Sequence, residues 1–243
     1  MARTFSTSSQ LGVTFGSTIS GSMTLAAWIN HTTASTAGYP ANVDRWLCFG
    51  RTNDSFVIRR EWNGATHGDS YVNATAGGRA QGGSVTVGVW AHWAVTANGS
   101  NIRLYKDGSQ VASVAQTQAI TADSTLRIGE ASSEAFEGRF ADVAFWNRAL
   151  AASEIAMLAK GYSPGFLPVS LIDCFPLIRD LTGLRGNVLT DTSTTVGAHP
   201  RVYSPVQART IAVPAVGGGA AVTYPQLERS VRGLNRGLTT GAY

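Results

Sequence analysis

Residues 124–160 read STLRIGEASSEAFEGRFADVAFWNRALAASEIAMLAK, two apolar strands joined to one short helix. Leu126 and Ile128 alternate ahead of Gly129, the period of a strand with one buried face. Phe140, Val143, Phe145 and Trp146 then give a second strand its β-branched and aromatic weight. Ser153 is the expected N-cap of a helix that carries Ile155 and Leu158 and stops at Gly161 and Pro164. Elsewhere up to residue 204 strand-like runs alternate with turn residues, and helical periodicity occurs only here. That pattern predicts an all-β, two-sheet antiparallel sandwich with one short helix.

Working outward, residues 24–30, TLAAWIN, place Leu25, Ala27 and Ile29 on one strand face and Trp28 on the other. WLCFGR and SFVIRREW, around residues 45–51 and 55–62, form an expected pair across the turn residues Thr52, Asn53 and Asp54. Asp107-Gly108 marks a tight hairpin, since both residue types tolerate positive φ. Residues 31–44 and 64–84 are rich in Gly, Ala, Thr and Asn, lack periodicity, and are expected to be surface loops. His31, Tyr39, Trp62, His67 and Tyr71 are the candidates for a glycan-contacting surface on those loops.

At 243 residues, 44% hydrophobic and 14% charged, the chain can bury a sizeable core. Its net charge of +4 is uneven, because residues 205–243 hold Arg209, Arg229, Arg232 and Arg236 against Glu228 alone. The same segment is punctuated by Pro205, Pro214, Pro225 and the run Gly217-Gly218-Gly219. Two parts follow: a sandwich over residues 1–204 and a basic C-terminal arm over 205–243. Arg229, Arg232 and Arg236, with Leu227, Val231 and Leu234 on a helical stripe, are the arm's candidate docking residues. Dispersed arginines without interleaved aromatics argue for an acidic protein surface over nucleic acid.

Cys48 and Cys174 lie in apolar strand-like sequence and are expected to be buried free thiols. The N-terminus shows no apolar signal core, and no run of about 20 apolar residues is present. Neither a cleaved secretion signal nor a membrane span is therefore expected.

Several of these segments resemble the laminin G-like domains of the concanavalin A-like superfamily. Residues 124–160 are similar to the closing module of that jelly roll. Residues 85–114 match a further ordered series of family features: Gly88, Trp90, Val95, the turn Asn98-Gly99-Ser100, a strand from Ile102 to Tyr105, and Asp107-Gly108. Residues 171–177, LIDCFPL, with Asp180-Leu181-Thr182-Gly183 and Asn187-Val188-Leu189-Thr190, resemble a module that opens many family members but comes last here. The resemblance implies a circularly permuted sandwich in which residues 167–203 supply strands. It also implies a candidate calcium donor set of Asp44, Asp54, Asp69 and Asp123, with no metal assigned to any of them and no other cofactor expected.

The paired-carboxylate spacing Glu-x-Asp-x-x-Glu of sandwich glycosidases is missing, and Glu130, Glu134 and Glu137 read as solvated loop charges. Asp142 reads as a structural turn partner beside the closing strand, and His92 as a strand residue with a local hydrogen bond. No zinc-ligand spacing, nucleophile elbow or phosphate loop occurs, so a non-enzymatic role is expected. The chain resembles laminin G-like proteins encoded by phages, including the stretch His199-Pro200-Arg201-Val202-Tyr203. That resemblance implies a tailed-phage virion structural protein, a capsid decoration or accessory component present in multiple copies and docked on capsid subunits. It would be made in the host cytoplasm and reside in the virion. The alternative is a lectin-like module that binds a host or surface glycan.

Overall fold

The computed structural model describes residues 2–32, 43–50, 54–62, 66–73, 75–130, 135–178, 181–198 and 200, with the backbone alone at 43, 62, 66 and 67. Its elements in chain order are β1 (Ala2–Phe5), β2 (Gln10–Ile19), β3 (Met23–His31), β4 (Val43–Phe49), β5 (Phe56–Trp62), β6 (Thr66–Val72), β7 (Arg79–Ser84) and β8 (Trp90–Ala97). Then come β9 (Asn101–Lys106), β10 (Ser109–Ala115), β11 (Asp123–Ile128), β12 (Gly138–Trp146), α1 (Ala152–Ala159), a 3-10 turn (Pro164–Phe166), β13 (Leu171–Phe175), β14 (Thr190–Thr192) and β15 (Thr195–Gly197). They build two antiparallel sheets. One has eight strands in the order β10, β9, β8, β3, β12, β1, β15, with β13 also on β12; the other has seven, β14, β2, β11, β4, β5, β6, β7.

The expected strands and hairpin are present, and two bulges explain why their apolar patterns are irregular. Between Ala141 and Ala144 the register of β12 shifts, and Asp142 there adopts φ 46°. The extra residue changes the parity of the strand, so that Phe140 before it and Val143 and Phe145 after it all face the inter-sheet core. A second shift between Arg45 and Leu47 turns both Trp46 and Leu47 inward. Asp107 and Gly108 sit at φ 49° and 83°, the conformation a two-residue hairpin requires.

Rings fill the space between the sheets. Trp46 meets Trp93 at 5.0 Å, Phe49 meets Phe145 at 5.0 Å, and Phe136 meets Phe140 at 4.3 Å. Each such side chain contributes about 2 kcal/mol by leaving water. On the far side of the eight-stranded sheet, Ile155 and Leu158 of α1 cover Ala26, Ala94, Tyr105, Ala144 and Trp146. The helix starts differently from the expectation. Ala151, not Ser153, is the N-cap; its N–H donates to Glu154 Oε2 at 2.8 Å, and Arg148 clamps Glu154 with two bonds of 2.7 Å. Glu154, three residues on from the N-cap, thus satisfies the N-cap's own N–H, the half of a capping box that does not need a side chain on Ala151.

Residues from the late apolar module pair into both sheets, as expected: β13 joins β12, β15 joins β1, and β14 joins β2. Buried Asp173 fixes the turn that follows β13. Its Oδ1 accepts the N–H groups of Cys174 and Arg185, and its Oδ2 accepts the backbone and side-chain N–H of Asn187.

The loop expected at 64–84 is corrected: most of it forms β6 and β7, the rim of the seven-stranded sheet. Gly68 and Gly82 within these strands reflect close packing. A Cβ at Gly68 would stand 2.3 Å from the Trp93 ring, and one at Gly82 would stand 2.5 Å from the Val111 carbonyl oxygen. Of the other expected loop, His31 ends β3, Val43 and Asp44 begin β4, and residues 33–42 lie outside the described residues. The arm residues Leu227, Arg229, Val231, Arg232, Leu234 and Arg236 also lie outside them, as does Tyr39.

Candidate functional site

Strand alternation gives the seven-stranded sheet a polar outer face. In β5, Phe56 and Ile58 point to the core, which leaves Val57, Arg59 and Glu61 outside; in β11, Leu126 and Ile128 point in and leave Thr125 and Arg127 out. Register then sets these outward residues in rows. Thr190, Gly12, Arg127, Cys48, Val57, Tyr71 and Arg79 are successive cross-strand partners and form one line across all seven strands. Arg45, Arg59, Asp69 and Gln81 form the next.

Among the described residues, the charges of this face are mutually engaged in two groups of four. In the first, Asp54 Oδ1 accepts from Arg45 Nη1 at 2.9 Å and from Arg127 Nη2 at 3.0 Å, and Arg127 Nη1 donates to Glu130 Oε2 at 2.9 Å. Glu130 is buried in this pairing, a correction to the solvated loop charge expected of it. In the second, Asp69 accepts from Arg59 Nε at 2.6 Å and Arg79 Nε at 3.0 Å, while Glu61 pairs with the same two arginines. Asp69 is 0% exposed. Burial raises its carboxyl above the usual range, against the pull of Arg59. The Cys48 thiol, pushed up to about 12 by burial, donates to Asp54 at 3.2 Å; both Cys48 and Cys174 are buried free thiols.

A groove opens at the end of the first row. It has a volume of about 400 Å³ and is lined by Gln10, Gly12, Val13, Thr14, Thr125, Arg127 and Thr190. Gly12 leaves its floor low, between Thr190 on one neighbouring strand and Arg127 on the other. None of these was singled out from the sequence as a site residue. Alternation in QLGVTF and STLRI was the available signal for their outward side, but register was needed to bring them together.

The expected glycan-surface residues are distributed differently. Tyr71 is only 3% exposed; its hydroxyl donates to Asp54 Oδ2 at 3.1 Å, and the Arg59 guanidinium carbon lies 4.7 Å from its ring centre. It is part of the ionic framework and presents no free ring face on that side. Trp62 and His67 occupy adjoining register positions where β5 meets β6. His31 is buried against Trp46 and Phe136, where desolvation, and then Arg60, hold it well below the ordinary histidine range.

The candidate calcium donors do not converge. Asp54 and Asp69 bind arginines, Asp44 pairs with Arg60, and Asp123 Oδ1 accepts the N–H groups of Ser124 and Thr125. Among the described residues no three His, Cys, Asp or Glu side chains gather as a metal-holding group.

Two sheets closed in this order around a ring-filled core agree with a family match over residues 5–156, to the laminin G-like model described as concanavalin A-like lectin/glucanases superfamily. The chain belongs to this superfamily. Its strands β13 to β15 follow the matched segment and yet complete the sheets. Among solved structures, this laminin G-like chain is similar to a putative carbohydrate binding protein from Bacteroides ovatus ATCC 8483, with a TM-score of 0.62 and 17% identity over 80% of this chain and 58% of that one. It is also similar to the native heptameric SAP-like pentraxin from Limulus polyphemus, with a TM-score of 0.52 and 18% identity over 65% of this chain and 81% of that one. Among curated proteins none matches.

Proposed function

We propose that this chain is a non-enzymatic recognition module that holds a glycan on the outer face of its seven-stranded sheet. The groove over Gly12 carries the reading: it is open, large enough for a sugar unit, and lined by the hydroxyl and amide side chains of Gln10, Thr14, Thr125 and Thr190. A glycosidase needs one carboxyl free to attack or activate water and another free to deliver a proton. On this face Asp54, Glu130, Asp69 and Glu61 are all held by arginines, an arrangement that favours binding over hydrolysis. The Bacteroides neighbour's description as a putative carbohydrate binding protein is in keeping with the reading, although the likeness concerns the fold. Saturable binding of the full chain to an oligosaccharide panel, without release of reducing sugar, is the expected result. Turnover of any panel member would overturn the non-enzymatic part.

A second reading is a virion structural protein, a capsid decoration or accessory component of a tailed phage. The observation that favours it is the basic composition of residues 205–243, with four arginines against one glutamate. The two readings are compatible, since repeated copies on a particle would give a weak sugar site avidity. Truncation at Pro205 tests this one: the shortened chain keeps the sandwich and any glycan binding but no longer enters particles. Normal incorporation of the truncated chain would refute the docking role.

A further inference from the structure

We infer that the groove over Gly12 selects an uncharged, hydroxyl-rich ligand, a neutral hexose unit, against acidic and amino sugars. This rests on the glycan reading above and goes further by assigning the ligand's charge and the residue that gives it room. Among the described residues Arg127 is the one charged member of the lining. Its Nη1 is held by Glu130, and its Nη2 is shared by Asp54 at 3.0 Å and the Gly50 carbonyl oxygen at 3.4 Å. A ligand carboxylate would approach a guanidinium already paired with two carboxylates and would come to sit beside them. Like charges at such a distance repel, and desolvating the newcomer adds to the cost.

A ligand ammonium meets the converse obstacle, because Asp54 is already shared by Arg45 and Arg127, and Glu130 lies beside both. Among the described residues the rest of the face offers no net attraction either. Arg45, Arg127, Arg59 and Arg79 balance Asp54, Glu130, Asp69 and Glu61. What the groove presents is hydroxyls and one amide, groups that both donate and accept and so match sugar hydroxyls without a charge.

Gly12 makes the room. It has ordinary strand φ, and a Cβ built on it meets nothing nearer than the Leu126 carbonyl oxygen at 3.8 Å. A side chain there would rise into the groove between Thr190 and Arg127 without straining the sheet. Gly12 is therefore a specificity-determining position, and filling it blocks the ligand while sparing the fold.

The test uses the full chain against matched oligosaccharides ending in neutral hexoses, in sialic or uronic acids, and in amino sugars, titrated at low and high ionic strength. Neutral members are expected to bind about tenfold or more tightly than their charged counterparts, with dissociation constants unchanged by salt. Gly12→Val is expected to lose binding by about tenfold or more at an unchanged melting temperature. Thr125→Val, which removes one hydroxyl at constant shape, is a second variant with the same expected direction should Gly12→Val fold poorly. Tighter, salt-weakened binding of acidic or amino sugars would overturn this inference and leave the glycan reading standing. So would neutral-sugar binding that both variants leave intact, since it places the site elsewhere. Binding to no panel member would overturn the glycan reading itself, and this inference with it.

Discussion

The two sheets use their outer faces in opposite ways. Beyond the eight-stranded sheet, Ala26, Ala94, Ala144 and Trp146 form an apolar floor that α1 covers with Ile155 and Leu158. Beyond the seven-stranded sheet, the corresponding positions carry arginines, carboxylates, threonines and a glycine-floored groove. The inner faces are alike, both packed with rings. Fold stability is thus concentrated in the core and under the helix, and the polar face is where side chains can be varied for recognition. Its ion pairs are far from idle, however, because Asp69 and Glu130 are buried within them.

The strongest way to break this contrast is Trp146→Ala. It empties the space under α1 and frees the partner of the Trp146 indole N–H, the Leu167 carbonyl oxygen at 2.9 Å. A loss of about 4 kcal/mol is expected in denaturant unfolding, with ligand affinity of the folded fraction unchanged. Next is Asp69→Ala, which removes the buried carboxylate between Arg59 and Arg79 and leaves the two to share Glu61. Its expected loss is about 3 kcal/mol, and Asp69→Asn should recover part of it by keeping hydrogen-bond acceptance. Gly68→Ala drives a methyl group against the Trp93 ring and is expected to cost about 2 kcal/mol. Little loss in that variant would mean that the glycine of β6 is incidental.

Smaller and graded effects come from buried titratable groups on the eight-stranded side. Burial raises Asp142 to about 7, so its folded form holds a proton that the unfolded chain gives up near 3.8. Stability from this group is full below that lower value and is lost as pH rises through about 7. His92 has the opposite sign: burial lowers it to about 3, so its contribution is present above 6.5 and declines as pH falls toward 3. Asp142→Asn should flatten the loss on the neutral side and leave the acidic loss in place, as read from melting temperature against pH. Thr125→Val should change stability by less than about 0.5 kcal/mol, the smallest effect in the series.

How legible each part was depended on whether its cause is local. Alternation in TLAAWIN and the Asp107-Gly108 turn are properties of adjacent residues, and the strands and hairpin they imply are present. The β6 and β7 strands were read as loop because residues 64–84 are rich in Gly, Ala, Thr and Asn and lack periodicity. The glycine of β6 is explained by Trp93, which lies more than twenty residues from Gly68 and leaves no space for a Cβ, and Gly82 of β7 by the similarly distant Val111 carbonyl. The arginine–carboxylate groups were hidden for a related reason. Arg127 and Asp54 come from separate strand neighbourhoods, and only the register that sets Arg127 opposite Cys48 brings them together. A sharper use of alternation in SFVIRREW would have put Arg59 and Glu61 on the outer face, but not their partners. Tyr71 shows the same limit, since its burial follows from Arg59 and Asp54 and not from its own segment.

The most direct test of the account is a crystal structure of the full chain soaked with a neutral oligosaccharide that it binds in solution. The account predicts a sugar ring seated over Gly12, hydrogen-bonded to Thr125, Thr190 or Gln10, with Arg127 still bridging Asp54 and Glu130. A ring bound instead at the β5–β6 end near Trp62 and His67, or Arg127 swung away from both carboxylates to meet the ligand, would contradict it.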